Sequence, residues 1–225
     1  MEEKRLLVGI DFATASPLLI ELLLEDASEP AVFEEIARAN MQRIEILHLL
    51  MEHPETPDEV KNRLADILHL PVKSKTEVPT IRKPPEERSQ TILQRIQRLS
   101  VSERIQLALK GGKEIRTILL RDPNKEVSLT VLDNPKLTET EVELVAKSRS
   151  IPDEALRKIS KKKEWMKNYQ IVQALVTNPK TPAGISLPLV ADLKTKDLAL
   201  LGKNRNVSEG VRSTAKKLLR ARQAH

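Results

Sequence analysis

Apolar residues in this 225-residue chain recur at helical intervals, in short runs cut by polar corners. In the N-terminal part, Val32, Phe33 and Ile36 fall on one face of a helix, and Ile44, Leu47 and either Leu50 or Met51 fall on one face of the next. The pattern predicts helices near residues 16–26, 30–39, 42–52 and 57–69. Similar amphipathic segments follow one another from Ile92 to Leu219, among them Ile115/Ile118/Leu119, Val127/Val131, Ile171/Leu175 and Val207/Val211/Ala215/Leu218. These spacings are helical and not the alternation of strands.

The corners repeat one kind of punctuation: ALVTNPKTP (Ala174–Pro182), VLDNPKLTE (Val131–Glu139) and LLMEHPETP (Leu49–Pro57). An Asn closing an apolar run suits a left-handed C-cap, and the following Pro cannot continue the helix, so Asn134-Pro135 and Asn178-Pro179 read as stops. Thr56 before Pro57 and Thr181 before Pro182 read as N-caps with Pro at the first helical position. Thr56 with Glu59, and Thr138 with Glu141, have the spacing of a capping box. Corner-like residues fall at Asn40, His53, Asp122, Asn134, Asn178 and Asn204, which are 13, 12, 44 and 26 residues apart within the two halves of the chain. The intervals of 13, 12 and 26, though not that of 44, are near multiples of about 13, so two helices with their turns make a hairpin of roughly 26 residues. Such a hairpin cannot bury its apolar face alone and must stack on neighbours.

Pro71–Pro85 (PVKSKTEVPTIRKPP) holds four of the 14 prolines among charged residues without helical periodicity, the composition of an extended linker. The expected organisation is an N-terminal helical unit over residues 1–70, a Pro- and charge-rich linker over 71–87, and a helical-repeat unit over 88–225. The expected fold is all-α: an irregular α-solenoid, a HEAT-like superhelical stack of short helices, with a smaller N-terminal helical unit.

Composition agrees with a helical aliphatic core, because six glycines and four aromatic residues are few for hairpin turns and sheet surfaces. The absence of cysteine excludes disulfides, thiolate metal sites and cysteine-held clusters. The acidic N-terminus has too short an apolar run for a signal peptide, and no run of 18 apolar residues follows, so a cytoplasmic protein without a transmembrane segment is expected. Charge is polarised: residues 1–57 carry 4 Lys+Arg against 12 Asp+Glu, whereas residues 101–225 carry 25 against 14. The C-terminal part can therefore meet an acidic surface, whether protein, nucleic acid or anionic lipid.

The NPxTP…L…LA cadence of Asn178–Asp192, echoed in His53–Ile67, resembles the bacterial leucine-rich-repeat-variant and HEAT-like superhelical repeats over about half the chain. It is also similar to uncharacterised bacterial helical-repeat proteins. The resemblance implies stacked hairpins that present a binding surface. Some variant-repeat proteins are associated with an N-terminal iron–sulfur cluster; without cysteine, nothing carries that feature over.

Candidate chemistry is sparse. Leu6–Ser16 (LLVGIDFATAS) resembles the first phosphate loop of actin-like ATPases, but the chain lacks the glycine-rich loops of that fold, and the segment reads instead as a lead into a helix capped by Thr14 or Ser16. Lys110–Thr117 (KGGKEIRT) lacks the first glycine of a phosphate loop and has Glu114 after Lys113, so Gly111 and Gly112 read as a helix C-cap and turn. His48 and His53 are five apart, which does not stack them as zinc ligands, and His69 and His225 have no local partners. No serine elbow or singled-out carboxylate pair is present, so neither catalysis nor a cofactor or metal is expected.

Two basic patches are candidate partner-binding surfaces. Lys161–Tyr169 (KKKEWMKNY) sets Trp165 and Tyr169, half of the aromatic residues, beside Lys161, Lys162, Lys163 and Lys167. Aromatic and cationic groups together suit an interface anchor or base stacking, and alternatively the two rings plug a gap between helices. Arg205 lies near Arg212, Lys216 and Arg220, whose i, i+4, i+8 spacing puts them on one helix face. The expected function is a non-enzymatic scaffold or adaptor for a protein partner. The alternative is nucleic-acid binding by the basic C-terminal part, as in HEAT-like DNA glycosylases.

Overall fold

A computed structural model describes residues 11–25, 30–69 and 85–223. Among them are fourteen α-helices and three short 3-10 turns, and no strand. The chain divides into two compact units, Met1–Leu119 and Leu120–His225.

In the first unit, α1 (Pro17–Glu25) buries five of its nine residues. Ser16 starts it by accepting a hydrogen bond from the Leu19 N–H at 3.3 Å. Leu19, Ile20, Leu22, Leu23 and Leu24 are all buried, which is how a helix apolar on most sides must sit. Around it lie α2 (Pro30–Ala39), α3 (Ile44–Glu52), α4 (Asp58–Leu68), α5 (Pro85–Ile96), α6 (Val101–Lys110) and α7 (Lys113–Leu119). α1 packs against α3 and α6, α2 against α3 and α4, and α7 against α5 and α6.

The division at Leu119 differs from the boundary expected at residues 71–87. Arg95 of α5 reaches Glu21 of α1 at 2.8 Å and also pairs with Glu25. Ser100 and Glu103 form a reciprocal capping box that starts α6 beside α1. Helices α5 to α7 thus belong with the N-terminal helices. Most of the expected linker, residues 71–84, lies outside the described residues.

The second unit contains α8 (Lys125–Thr130), α9 (Glu139–Lys147), α10 (Asp153–Lys161), α11 (Tyr169–Thr177), α12 (Ala183–Leu189), α13 (Thr195–Leu201) and α14 (Glu209–Gln223), with 3-10 turns at Val131–Asp133, Trp165–Lys167 and Val190–Asp192. The order helix, 3-10 turn, helix occurs three times, and α14 follows. The starts of α8, α10, α12 and α14 are 28, 30 and 26 residues apart, and those of α9, α11 and α13 are 30 and 26 apart. One buried cluster gathers Leu132, Val142, Leu156, Ile159, Ile171 and Leu175. A second gathers Val176, Val190, Leu193, Leu198, Val211 and Ala215.

The corners stop helices as expected, but by another conformation. Asn134 (φ −61°, ψ 124°) and Asn178 (φ −78°, ψ 121°) are extended, not left-handed. Each precedes a proline, whose ring clashes with the residue before it and drives that residue into the extended region. Their side-chain oxygens accept from the backbone N–H two residues on, at Lys136 and Lys180, both at 2.9 Å. Asp122 and Asn204 do the same to Asn124 at 2.8 Å and Asn206 at 2.9 Å. Among the described non-glycine residues only His69, at the end of α4, has a positive φ, 54°.

Capping is also divided. Thr138 and Glu141 form the expected box at the start of α9. Thr56 instead donates to the Leu50 carbonyl at 2.7 Å, closing α3 from behind, and Thr181 is buried with its hydroxyl unpartnered. Pro57 and Pro182 are themselves the N-cap residues, one place earlier than expected, because their ψ near 140° remains extended. Gly111 does end α6, its N–H bonded to the Leu107 carbonyl at 2.7 Å. A methyl there would lie 2.6 Å from both that carbonyl and the Ile115 side chain, so close helix approach, not phosphate, explains the glycine.

Candidate partner-binding surface

Among the described residues of the second unit, four basic side chains donate to backbone carbonyls of the preceding hairpin. Lys158 donates to the Leu129 carbonyl at 2.9 Å and pairs with Asp133. Lys162 donates to the Leu132 carbonyl at 2.6 Å, and Lys180 to the Ile151 carbonyl at 3.4 Å. Arg222 spans the Leu193 and Ala191 carbonyls at 2.6 and 2.7 Å. Buried Asn178 adds bonds to the carbonyls of Ala146 at 2.6 Å and Ser148 at 3.0 Å. The carbonyl partners are 29 to 32 residues apart, and Lys158 and Asp133 are 25 apart, close to the spacing of the helices themselves. Carbonyls at helix ends lack intrahelical donors, and a cation from the following hairpin supplies one.

The first candidate patch is largely absorbed by this packing. Trp165 is 8% exposed and belongs to the apolar cluster, so it is not available as an interface anchor. The Lys162 ammonium sits 4.1 Å from the centre of its ring while bonding Leu132. Tyr169 donates to Asp197 and accepts from the Lys194 N–H at 3.0 Å, and the Lys194 ammonium lies 4.6 Å from its ring. Burial raises the Tyr169 pKa, and the hydrogen bond to Asp197 raises it further. Lys161, Lys163 and Lys167 remain on the surface beside the 3-10 turn that Trp165 plugs.

The second patch is partly tied. Arg212 pairs with Glu209 and donates to the Arg205 carbonyl at 3.4 Å. Its guanidinium is what holds the Glu209 carboxyl below the usual carboxylate range. Lys216 and Arg220 are exposed along α14, and Arg205 is exposed at the corner before it. The Lys216 stem covers Gly202, where an added methyl would lie 3.1 Å from its Cγ. Of the candidate cations, Lys161, Lys163 and Lys167 are thus exposed at the α10–α11 corner, and Arg205, Lys216 and Arg220 at and along α14.

Sequence reasoning missed the structural use of Lys158, Lys180 and Arg222. Their only signal in the sequence is a spacing of about one hairpin from the corner they serve. Among the described residues no group of three or more His, Asp or Glu side chains is arranged to hold a metal ion. Nor is any helix among them long and apolar enough to cross a membrane. Comparison with protein-family models, curated proteins and solved structures found no match.

Proposed function

We propose that the second unit is a non-enzymatic helical-repeat scaffold, an irregular α-solenoid that presents its surface to an acidic protein partner. The observation that carries this reading is the set of side-chain ties between residues 29 to 32 apart. Ties at one offset hold successive hairpins in register, and hairpins in register place their outward residues in rows on a preorganised surface. Residues 120–225 carry 21 Lys+Arg against 12 Asp+Glu, so this surface favours acidic partners. Lys161, Lys163 and Lys167 are the cations assigned to the contact, since their neighbour Lys162 is committed to packing.

Nucleic acid is the competing ligand for the same charge. Lys125 pairs with Glu154, Lys147 with Glu143 and Arg157 with Asp153, which breaks the positive field a phosphate backbone would need. The test captures partners from the native cell on the intact chain, with and without nuclease and at two salt concentrations. A protein retained after nuclease, and lost with Lys161, Lys163 and Lys167 all replaced by Ser, is the expected result. Tight salt-sensitive binding of duplex DNA that these replacements abolish would transfer the site to nucleic acid.

A further inference from the structure

Several corners of the chain, among them those at Asp122, Asn134, Asn178 and Asn204, close with an Asn or Asp oxygen accepting the backbone N–H two residues on, and the corner between α3 and α4 closes with an imidazole. His53 Nδ1 accepts from the Glu55 N–H at 3.3 Å. The equivalent acceptors at Asn134, Asn178 and Asn204 are amide oxygens and cannot titrate. The His53 ring is half-buried, with its centre 5.5 Å from that of Phe33, itself 2% exposed in the core of the first unit.

We propose that the α3–α4 corner is a pH-sensitive hinge, closed while His53 is neutral and opened when Nδ1 takes a proton. The chemistry is an inversion of role. Neutral imidazole offers one acceptor nitrogen, whereas imidazolium offers two donors and no acceptor. A proton on Nδ1 therefore meets the Glu55 N–H donor to donor, and the corner is left with the Thr56 bonds to the His53 and Leu50 carbonyls, at 3.3 and 2.7 Å. Charging the half-buried ring also carries a desolvation cost. Helix α4, packed on α2 and α3, is the element released.

The surrounding charges do not cancel this. Burial depresses the His53 pKa below 6.5, and Lys61 from α4 acts in the same direction. Glu55 in the corner and Glu25 of α1 oppose them, but Glu25 is engaged by Arg95 of α5. With a depressed native pKa, the unfolded chain binds the proton better. The stabilisation is complete above the unfolded value of 6.5 and is lost as pH falls through the folded one.

The test is an NMR titration of the His53 imidazole and the Glu55 amide in the intact chain, with urea midpoints of wild type and His53→Asn at about pH 7.5 and about pH 5.5, where most carboxylates stay charged. Asn is chosen because it keeps an acceptor in place without a proton to gain. His53 should titrate below 6.5 and the Glu55 amide should follow the same curve. Wild type should lose more of its urea midpoint between the two pH values than His53→Asn does. Should the variant not fold, the wild-type titration decides alone. A His53 midpoint at or above 6.5, a Glu55 amide indifferent to that titration, or equal losses in both proteins would overturn the hinge.

Discussion

Asn178 shows how much one corner residue can carry. Its amide donates to two carbonyls of the preceding hairpin while its oxygen accepts from Lys180, so one side chain closes the local turn and joins two hairpins. Asn178→Ala should cost about 2 kcal/mol or more in urea denaturation, because buried carbonyls lose their donors. Thr138→Ala should cost about 1 kcal/mol, the usual value of a lost N-cap. Thr181→Ala should be nearly neutral or stabilising, because its buried hydroxyl has no partner to lose. A loss at Thr181 as large as at Thr138 would show that the hydroxyl is bonded after all. The sequence marks all three as corner residues but does not separate them. At Asn178 two local rules compete: asparagine tolerates the left-handed region, yet a following proline forbids the helical one and favours the extended form. Which way a threonine side chain turns depends on the neighbouring helix, and no local spacing contains that.

At the scale of elements the periodicity was legible. The four helices expected near 16–26, 30–39, 42–52 and 57–69 are observed at 17–25, 30–39, 44–52 and 58–68. Apolar spacing suffices for α2 to α4 because each buries one stripe, and a stripe is a sequence pattern, whereas α1 is a nearly continuous apolar run. The role of Trp165 was not legible, since an aromatic beside lysines reads equally as anchor or plug until its neighbours are known. The structure places it in the plug between α10 and α11, under the Lys162 ammonium. Trp165→Ala should therefore cost about 3–5 kcal/mol by emptying a core position. Lys162→Met keeps the stem over the ring but removes the donor to Leu132, and should cost about 1–3 kcal/mol. Stability unchanged in Trp165→Ala, measured by thermal and urea unfolding, would return the tryptophan to the surface.

At the scale of the molecule, proline content suggested a boundary at residues 71–87, while packing divides the chain at Leu119. Composition reports where a chain can be extended, but cannot report that α5 returns to α1 through Arg95 and two glutamates. The same distinction applies to charge, because most of the excess of Lys and Arg sits in residues 120–225, where four of the 21, Lys158, Lys162, Lys180 and Arg222, hold backbone carbonyls of the preceding hairpin. In the second unit α14 turns Ser213, Lys216, Lys217 and Arg220 to solvent and buries Val211 and Ala215, the two-sided pattern of an amphipathic helix. Its two apolar clusters draw only on residues from Leu120 onward. A fragment of residues 120–225 should accordingly be helical by circular dichroism and unfold cooperatively. Extending it back to residue 88 should add residues without adding order, because α5 to α7 would lack the α1 surface against which α6 packs and Arg95 pairs. Amide exchange would distinguish the cases: residues 88–119 should exchange fast in the longer fragment and be protected in the whole chain. Protection of those residues in the fragment 88–225, with the shorter one unfolded, would restore the boundary that proline content suggested.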